Sequence, residues 1–224
     1  MKISKETSSF LKQLKDNNNR EWFNLHKAEY ESARAEFIHF SQTILDGIAK
    51  IDPTVAPNHP ISDCIFRIYR DIRFSKDKTP YKSFFSAAFS SLGKRTQVPG
   101  YYLQIEPGRS FIIMGIWQPD KDQIRAIRQE IDYNGDTIHA ILEDSHFKKH
   151  LYLSQEDRLK TSPKGYEVTH PDIDLLRLKS FMAVRDLSDE EIHAQHASEL
   201  ILNACADAGP FLNFLYTALE DIKP

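Results

Sequence analysis

The sequence predicts an α+β fold, in which an antiparallel β-sheet is flanked by helices and preceded by a long amphipathic helix. Three observations support this prediction. Apolar residues recur every three or four positions through much of the first fifty residues, which is typical of helices. Short runs rich in Phe, Ile and Tyr follow between residues 64 and 117, and such runs favour strands. Helical periodicity with recognisable capping residues returns after residue 120.

The amino-terminal region is expected to contain a short helix and a long one. The short helix spans about Thr7 to Lys15, and Asn18 or Asn19 can cap the helix that starts near Arg20. The apolar positions of the long helix are Tyr30, Ala33, Phe37, Phe40, Ile44, Ile48 and Ile51. Three prolines then end the helical region, because proline lacks the amide donor: Pro53, Pro57 and Pro60.

Four runs predict the strands of an antiparallel meander: "CIFRIYR", "SFFSAAFSS", "GYYLQIEP" and "SFIIMGIW". In the third run, apolar and polar positions alternate after Tyr101, as in a strand with one buried face. Pro107 and Gly108 fit the central positions of a tight turn that joins the third run to the fourth.

The rest of the chain predicts helices that pack on this sheet, with one further strand near Ser180 to Val184. Asp120 opens a helix that stops at Asn134 and Gly135, and Asp136 opens another to about Lys149. Ser188 and Glu191 form a capping box for a helix to about Ala206. Gly209 and Pro210 separate that helix from the last one.

Composition indicates an ordinary globular protein, expected to form a single domain over residues 1–224 and to stay in the cytoplasm. The chain has 29 Lys and Arg against 32 Asp and Glu, and 41% of its residues are hydrophobic. No apolar run approaches the length that a membrane span requires, so no membrane partner is expected. Cys64 and Cys205 are expected to be reduced, buried thiols.

Residues 67–82, "RIYRDIRFSKDKTPYK", form a positive segment in an acidic chain; we call this segment the basic loop. Its cations are Arg67, Arg70, Arg73, Lys76, Lys78 and Lys82, and its acids are Asp71 and Asp77. The net charge of the segment is therefore 6 − 2 = +4, whereas the whole chain carries −3. The part after Arg70 lacks periodicity and contains Pro80, which predicts a loop between two strands. If residues 64–70 form a strand, at least one arginine should lie near the core.

Two interpretations of the basic loop stay open. In the first, the loop binds a phosphate or a carboxylate of a small molecule, because arginine forms paired hydrogen bonds with such anions and lysine adds charge. The candidate ligand-binding residues are Arg67, Arg70, Asp71, Arg73, Lys76, Lys78, Tyr81 and Lys82. In the second, Asp71 and Asp77 pair with the nearby cations, Phe74 and Tyr81 anchor the loop, and nothing is bound.

Nucleic acid is disfavoured as a partner, because the net charge of −3 differs from the strongly basic character of dedicated binders. Such binding would use Lys94 and Arg95 with stacking on four tyrosines, which are Tyr69, Tyr81, Tyr101 and Tyr102. The pairs His146–His150 and His193–His196 have metal-ligand spacing but lack a recognisable motif, so no metal is predicted. No cofactor is predicted either, since the chain has no Walker loop, GxGxxG or zinc ribbon.

Several segments together resemble a widespread family of bacterial and fungal proteins that is known only as a conserved domain of unknown function. They are "FRIYRDIRFSKDKTPYK", "NNNREWFNLHKAEY", "PGYYLQIEP" and "PKGYEVTHPDIDLLRLKSF", together with Gly115, Trp117 and Pro119. The resemblance covers the chain from about Phe10 to Leu215. It implies one domain over the whole chain, and it supplies no catalytic or binding residues.

The leading hypothesis is therefore a protein that binds a phosphate- or carboxylate-bearing small molecule at residues 70–82. The alternative is a structural or protein-interaction module, in which the basic loop is an internal salt-bridge clamp. A third hypothesis is an enzyme that acts on a phosphorylated substrate, with the cations stabilising developing charge. The sequence leaves open whether there is any catalysis, and it identifies no protein partner.

Overall fold

A computed structural model describes residues 1–55, 60–94 and 97–222. It confirms the α+β fold, with an antiparallel sheet, flanking helices and a long amino-terminal helix. The helices are α1 Lys5–Asp16, α2 Arg20–Leu25, α3 Lys27–Ile51, α4 Lys121–Tyr133, α5 Gly135–Glu143, α6 Ser145–His150, α7 Ile173–Leu176, α8 Asp189–His193, α9 Ala197–Asp207 and α10 Gly209–Ala218. The strands are β1 Phe85–Phe89, β2 Gly100–Ile105, β3 Ser110–Ile116, β4 Tyr152–Leu153 and β5 Phe181–Leu187.

The first two helices, α1 and α2, begin at hydrogen-bonded caps, and α3 is the long helix that the sequence predicts. The side chain of Ser4 accepts a hydrogen bond from the amide of Thr7 at the start of α1, and Asn19 caps α2 through the amide of Trp22. A non-helical backbone at His26 separates α2 from α3. Of the three prolines that follow α3, Pro57 lies outside the described residues.

The five strands lie in the order β1-β2-β3-β5-β4, and every neighbouring pair is antiparallel. The predicted turn joins β2 to β3: the amide of Arg109 donates to the carbonyl of Glu106 over 2.9 Å, and Gly108 has φ 74°. A positive φ at this turn position favours glycine. The predicted strand at residues 64–70 is wrong, because this segment forms only isolated bridges, Ile65 to Ala87 and Tyr69 to Tyr81.

In the carboxyl-terminal part, the predicted caps at Asp120 and Ser188 are confirmed, whereas Asp136 does not cap a helix and two predicted helices are each divided. Asp120 forms a capping box with Gln123, and Ser188 forms one with Glu191. The helix predicted to run from Asp136 to Lys149 begins earlier, at Gly135, and is divided into α5 and α6 at Asp144, which caps α6. The helix predicted to reach Ala206 is likewise two helices, α8 and α9. The sequence reasoning did not foresee β4 or α7.

One face of the sheet packs on helices. Because side chains alternate along each strand, the neighbouring residues point to the other face. The packed face carries Phe85, Tyr101 and Met114, and the ring of Phe85 stacks on Phe37 of α3 at 5.3 Å. The hydrophobic core runs from Ile3 to Leu219 and includes residues of α1, α3, α9 and α10. Within the described residues, no helix is both long and apolar enough to cross a bilayer.

Candidate anion-binding site

The basic loop is closed at its base by a short antiparallel pairing. The amide of Arg70 donates to the carbonyl of Pro80 over 2.9 Å, and the amide of Lys82 donates to the carbonyl of Ile68 over 2.8 Å. These two bonds flank the Tyr69–Tyr81 bridge and bring the ends of the loop together. The residues between them have no regular secondary structure, as the sequence predicts.

Tyr81 anchors the loop to the amino-terminal helices. Its ring is 5% exposed and stacks on Phe23 with the ring centroids 4.0 Å apart. Asn18 holds the backbone of Tyr81 at both ends, since its side chain accepts from the Tyr81 amide over 3.1 Å and donates to the Tyr81 carbonyl over 2.9 Å. Burial raises the pKa of the Tyr81 hydroxyl. Phe74, by contrast, is 95% exposed and anchors nothing.

Two of the three arginines in the loop pair with the two aspartates in it. Nη1 of Arg70 donates to Asp77 and to the Thr79 hydroxyl. Arg73 forms a two-pronged contact with Asp71, with Nε to Oδ1 at 3.0 Å and Nη2 to Oδ2 at 2.7 Å. Both aspartates therefore have cationic partners within the loop, as the salt-bridge-clamp interpretation expects.

The contacts also lower the pKa values of both carboxyls. The pKa of Asp77 falls to about 2, first because the Thr79 amide donates to it and then because Arg70 does. The hydrogen bonds from Arg73 hold the pKa of Asp71 below its ordinary value. Both carboxylates are therefore ionised near neutral pH, and each already has a cationic partner.

The other four cations of the loop form no ion pair with a carboxylate in the described ranges: Arg67, Lys76, Lys78 and Lys82. Nζ of Lys78 donates to the carbonyl of Ile72 over 3.0 Å. The strand on which the expected core-facing arginine depended does not form; Arg67 is exposed, and the Arg70 side chain is partly buried at 27% exposure. Lys82, like Arg70, is partly buried.

The ammonium group of Lys82 lies close to two aromatic rings. Its Nζ is 5.4 Å from the ring centroid of Phe66 and 5.6 Å from that of Phe84, distances at which an ammonium is attracted to a ring face. Burial lowers the pKa of Lys82, and the positive charge of Arg67 lowers it further. Lys82 is thus a partly desolvated cation without a carboxylate partner in the part of the chain that the structure describes.

Lys82 lines two neighbouring clefts. The first, which we call the loop cleft, has a volume of about 570 Å³ and is lined by Lys15, Asn18, Arg70, Asp77 and Lys82 among others. The second, the sheet cavity, has a volume of about 400 Å³ and opens on the sheet face opposite the helices, with Phe66, Lys82, Phe84, Tyr102, Trp117 and Met182 in its lining. A third groove, of about 730 Å³, has Arg34, Arg67 and Lys94 in its lining.

The structure therefore divides the predicted site residues. Arg70, Asp71, Tyr81 and Lys82 line the loop cleft. Arg67 lines the third groove, whereas Arg73, Lys76 and Lys78 line neither of these two. Sequence reasoning missed Lys15 as a site residue, and it considered Asn18 only as a helix cap. No local signal could have identified them, because Asn18 meets Tyr81 across 63 positions of sequence.

The tyrosines considered for base stacking are not equally available. Tyr101 is buried on the packed face of the sheet and Tyr81 is buried against Phe23, so neither ring can stack on a base. Tyr69 is half exposed, and Tyr102 lines the sheet cavity. Lys94 lines the third groove, and Arg95 lies outside the described residues.

The other chemically notable residues are the histidines of α6, the two cysteines and His170. His150 contacts Asp207 over 2.9 Å, and His146 lies 3.9 Å from the same carboxylate. In residues 1–55, 60–94 and 97–222, no group of three or more His, Cys, Asp or Glu is arranged to hold a metal ion. Cys64 and Cys205 are free, buried thiols, and burial raises the pKa of each. The loop around His170 packs on α4, where His170 contacts Asp132 over 2.9 Å.

The chain matches a family described as conserved hypothetical protein (DUF2461) over residues 6–214. It belongs to this family. The match includes α1 from its second residue, the helices α2 to α9, the five strands and the whole basic loop. No curated protein and no solved structure shows a significant match to the chain. Membership of the family confirms the resemblance noted in the sequence and assigns no activity.

Proposed function

We propose that this protein binds a small molecule bearing a phosphate or a carboxylate, and that the anionic group lies in the loop cleft. The observation that carries the proposal is the convergence of Lys15, Arg70 and Lys82 on one cleft. Lys15 comes from α1, Arg70 from the start of the loop and Lys82 from its end. Three cations from separate segments give a local positive field that an anion can neutralise.

The two carboxylates in the lining reduce this field but leave Lys15 and Lys82 without an ion pair among the described residues. Asp71 is paired with Arg73, and Asp77 is paired with Arg70 through the single nitrogen Nη1. Within the described residues, the hydrogen bonds of the Arg70 side chain use Nη1 alone, so Nε and Nη2 can donate to a ligand. The side chains of Asn18 and Thr79 border the same cleft and add neutral hydrogen-bonding groups.

A thermal-shift titration tests the proposal, with inorganic phosphate, sulfate, nucleotides, sugar phosphates and citrate as probes. A ligand at about a hundred times its dissociation constant stabilises a protein by about 2.7 kcal/mol, which raises the melting temperature measurably. We expect at least one of these probes to give such a shift. Lys15→Met and Lys82→Met should reduce it, because each removes one positive charge from the cleft.

The matched control is Lys12→Met. Lys12 and Lys15 are both exposed residues of α1, but only Lys15 lines the loop cleft. Substitution of either should have a small effect on stability, because exposed positions tolerate change. The proposal is wrong if no anion shifts the melting temperature, or if Lys15→Met and Lys12→Met respond equally to the anion that does.

The alternative function, a structural or protein-interaction module, is favoured by the ion pairs within the loop. Arg70 with Asp77 and Arg73 with Asp71 order the loop without any ligand. Under this alternative, Arg70→Ala loosens the loop and changes no anion affinity. Under the anion-binding proposal, Arg70→Ala also weakens binding of the same probe that Lys15→Met weakens.

A further inference from the structure

The sheet cavity contains an apolar surface that the core does not use. Side chains alternate along each strand, so residues next to the core-facing Phe89, Tyr101 and Met114 point to the opposite face. This opposite face includes Ala88, Tyr102, Ile113 and Met182, which line the cavity. The cavity volume of about 400 Å³ lies in the range of small-molecule sites.

Two glycines on neighbouring strands account for the space at the floor of the cavity. Gly100 of β2 pairs with Gly115 of β3, and both line the cavity. Neither position can carry a side chain without a shift of the backbone, since a Cβ would lie 2.6 Å from the Phe89 carbonyl at Gly100 and 2.0 Å from the Phe181 carbonyl at Gly115. At these two positions the cavity is therefore lined by backbone, and aromatic side chains form part of its walls.

The walls are suited to a flat apolar group. The ring centroids of Phe66 and Tyr102 lie 6.0 Å apart, and the ring of Phe84 lies 5.6 Å from the Lys82 ammonium. Trp117 is 52% exposed although it borders the cavity. Aromatic faces offer large contact area and favour stacked or edge-to-face partners. An exposed tryptophan beside such walls leaves apolar surface in contact with water until a ligand covers it.

The charge of the cavity selects the kind of ligand. Lys82 is the one Lys, Arg, Asp or Glu in the lining that the structure describes. Glu106, a buried acid that directly follows β2, accepts hydrogen bonds from the side chains of Gln104 and Ser83 over 2.9 and 3.1 Å. Because Lys82 also lines the loop cleft, an anionic group beside it is shared by both clefts, and an attached apolar body can enter the sheet cavity.

We propose that the ligand is an aromatic organic acid, whose ring lies in the sheet cavity and whose carboxylate or phosphate contacts Lys82. This proposal rests on the proposed function, because it uses the same cation for the anionic group. It adds that most of the affinity comes from the apolar body rather than from the charge.

Calorimetric titration with 2-naphthoate tests the proposal, with its neutral analogue 2-naphthamide and the head group alone, acetate, as companions. We expect 2-naphthoate to bind about tenfold or more tightly than either companion, since acetate lacks the apolar area and the amide lacks the charge. Lys82→Met should make the acid and the amide bind equally. Ile113→Trp should fill the cavity and weaken 2-naphthoate about tenfold or more.

A local signal complements calorimetry. The chain has two tryptophans, so Trp22→Phe leaves Trp117 as the single indole, and its emission should change when 2-naphthoate binds. If Ile113→Trp does not fold, Ala88→Leu fills the same cavity from β1. Lys76→Met, an exposed cation of the basic loop outside both clefts, is the matched control and should bind 2-naphthoate like the unmodified protein.

The outcomes separate the two proposals. If phosphate binds in a Lys15-dependent way while 2-naphthoate binds no more tightly than acetate, the proposed function stands and the aromatic ligand is wrong. If 2-naphthoate binds but Lys82→Met has no effect, the cavity is an apolar site without a head-group contact, and the inference is overturned. It is also overturned if a second copy of the chain covers this face, so that Ile113→Trp converts a dimer to a monomer in sedimentation.

Discussion

The hydroxyl of Tyr101 donates a hydrogen bond to Oδ2 of Asp52 over 2.9 Å, inside the protein. Tyr216 of α10 donates to the same oxygen over 2.9 Å, and the Thr54 hydroxyl donates to Oδ1 over 2.6 Å. Asp52 directly follows α3 and is 6% exposed. This carboxylate therefore joins the end of α3 to β2 and to α10.

Asp52→Ala should destabilise the protein by about 2 to 4 kcal/mol, because it leaves the hydroxyls of the buried Tyr101 and the partly buried Tyr216 without their acceptor. Burial raises the pKa of Tyr101 and of Tyr216 above the ordinary value, so both hydroxyls stay protonated near neutral pH. Tyr216→Phe removes one donor and leaves the acceptor satisfied, so we expect a smaller loss of about 1 kcal/mol. Urea denaturation followed by circular dichroism measures both values.

The control for this prediction is Tyr133→Phe, which removes an exposed hydroxyl and should leave the unfolding free energy unchanged. A result in which Asp52→Ala unfolds at the same urea concentration as the unmodified protein would contradict the role of this carboxylate.

Local signals predicted much of the fold. The caps at Asn19, Asp120 and Ser188 are visible in the sequence, because each depends on residues within three positions of the cap. The alternation after Tyr101 likewise identified β2 and its buried face. The break at His26 carries no comparable signal, since Trp22 to Tyr30 reads as continuous helix.

The residue types of the candidate site could be predicted from the sequence, but the contacts between them could not. The surplus of cations in residues 67–82 is evident from the sequence, but the choice of Asp77 rather than Asp71 as the partner of Arg70 depends on how the loop folds back. The same applies to Lys15, which reaches the loop cleft because Asn18 and Phe23 fix α1 and α2 against Tyr81. Such contacts between distant parts of a chain have no signature in one sequence.

Tyr81 and Phe74 lie in the same loop and should respond oppositely to truncation. Tyr81→Ala removes a buried ring that stacks on Phe23, so we expect a loss of about 3 to 5 kcal/mol in unfolding free energy. Phe74→Ala removes an exposed ring and should change stability by no more than about 0.5 kcal/mol. Thermal and urea unfolding of the two variants provides the comparison. Equal losses would mean that Tyr81 is not the anchor of the loop.

The pKa of Asp77 should show whether the contacts that order the basic loop persist in solution. Its pKa in the folded protein is lowered from 3.8 to about 2, so the ionised form contributes stability above the unfolded pKa, and this contribution is lost as pH falls from about 4 to about 2. Arg70→Ala should raise the pKa of Asp77 only part of the way, because the Thr79 amide, the larger cause, remains. Carboxyl ¹³C chemical shifts followed by NMR measure this pKa.

Asp71 provides the internal control in the same spectra. Its carboxyl is held by Arg73, so Arg70→Ala should leave its pKa where it is, whereas Arg73→Ala should raise it. A pKa of Asp77 that stays the same in Arg70→Ala would show that the pair does not persist in solution.

Gly115 and Gly108 are a matched pair for the geometry of the sheet. Both have positive φ, 142° and 74°, and differ in their surroundings. A Cβ at Gly108 meets no atom within 4 Å, so Gly108→Ala should cost only the backbone strain, about 1 to 2 kcal/mol. A Cβ at Gly115 lies 2.0 Å from the carbonyl oxygen of Phe181, and relief of this contact requires β3 and β5 to separate.

We therefore expect Gly115→Ala to destabilise the protein by at least about 2 kcal/mol more than Gly108→Ala. Urea denaturation gives this difference, and hydrogen exchange of the β3 and β5 amides should locate it, with faster exchange in Gly115→Ala at residues 113–116 and 181–184. If the two variants were equally stable, the close approach of β5 to Gly115 would be wrong. Since Gly115 also forms part of the cavity floor, 2-naphthoate affinity should fall in Gly115→Ala and remain unchanged in Gly108→Ala.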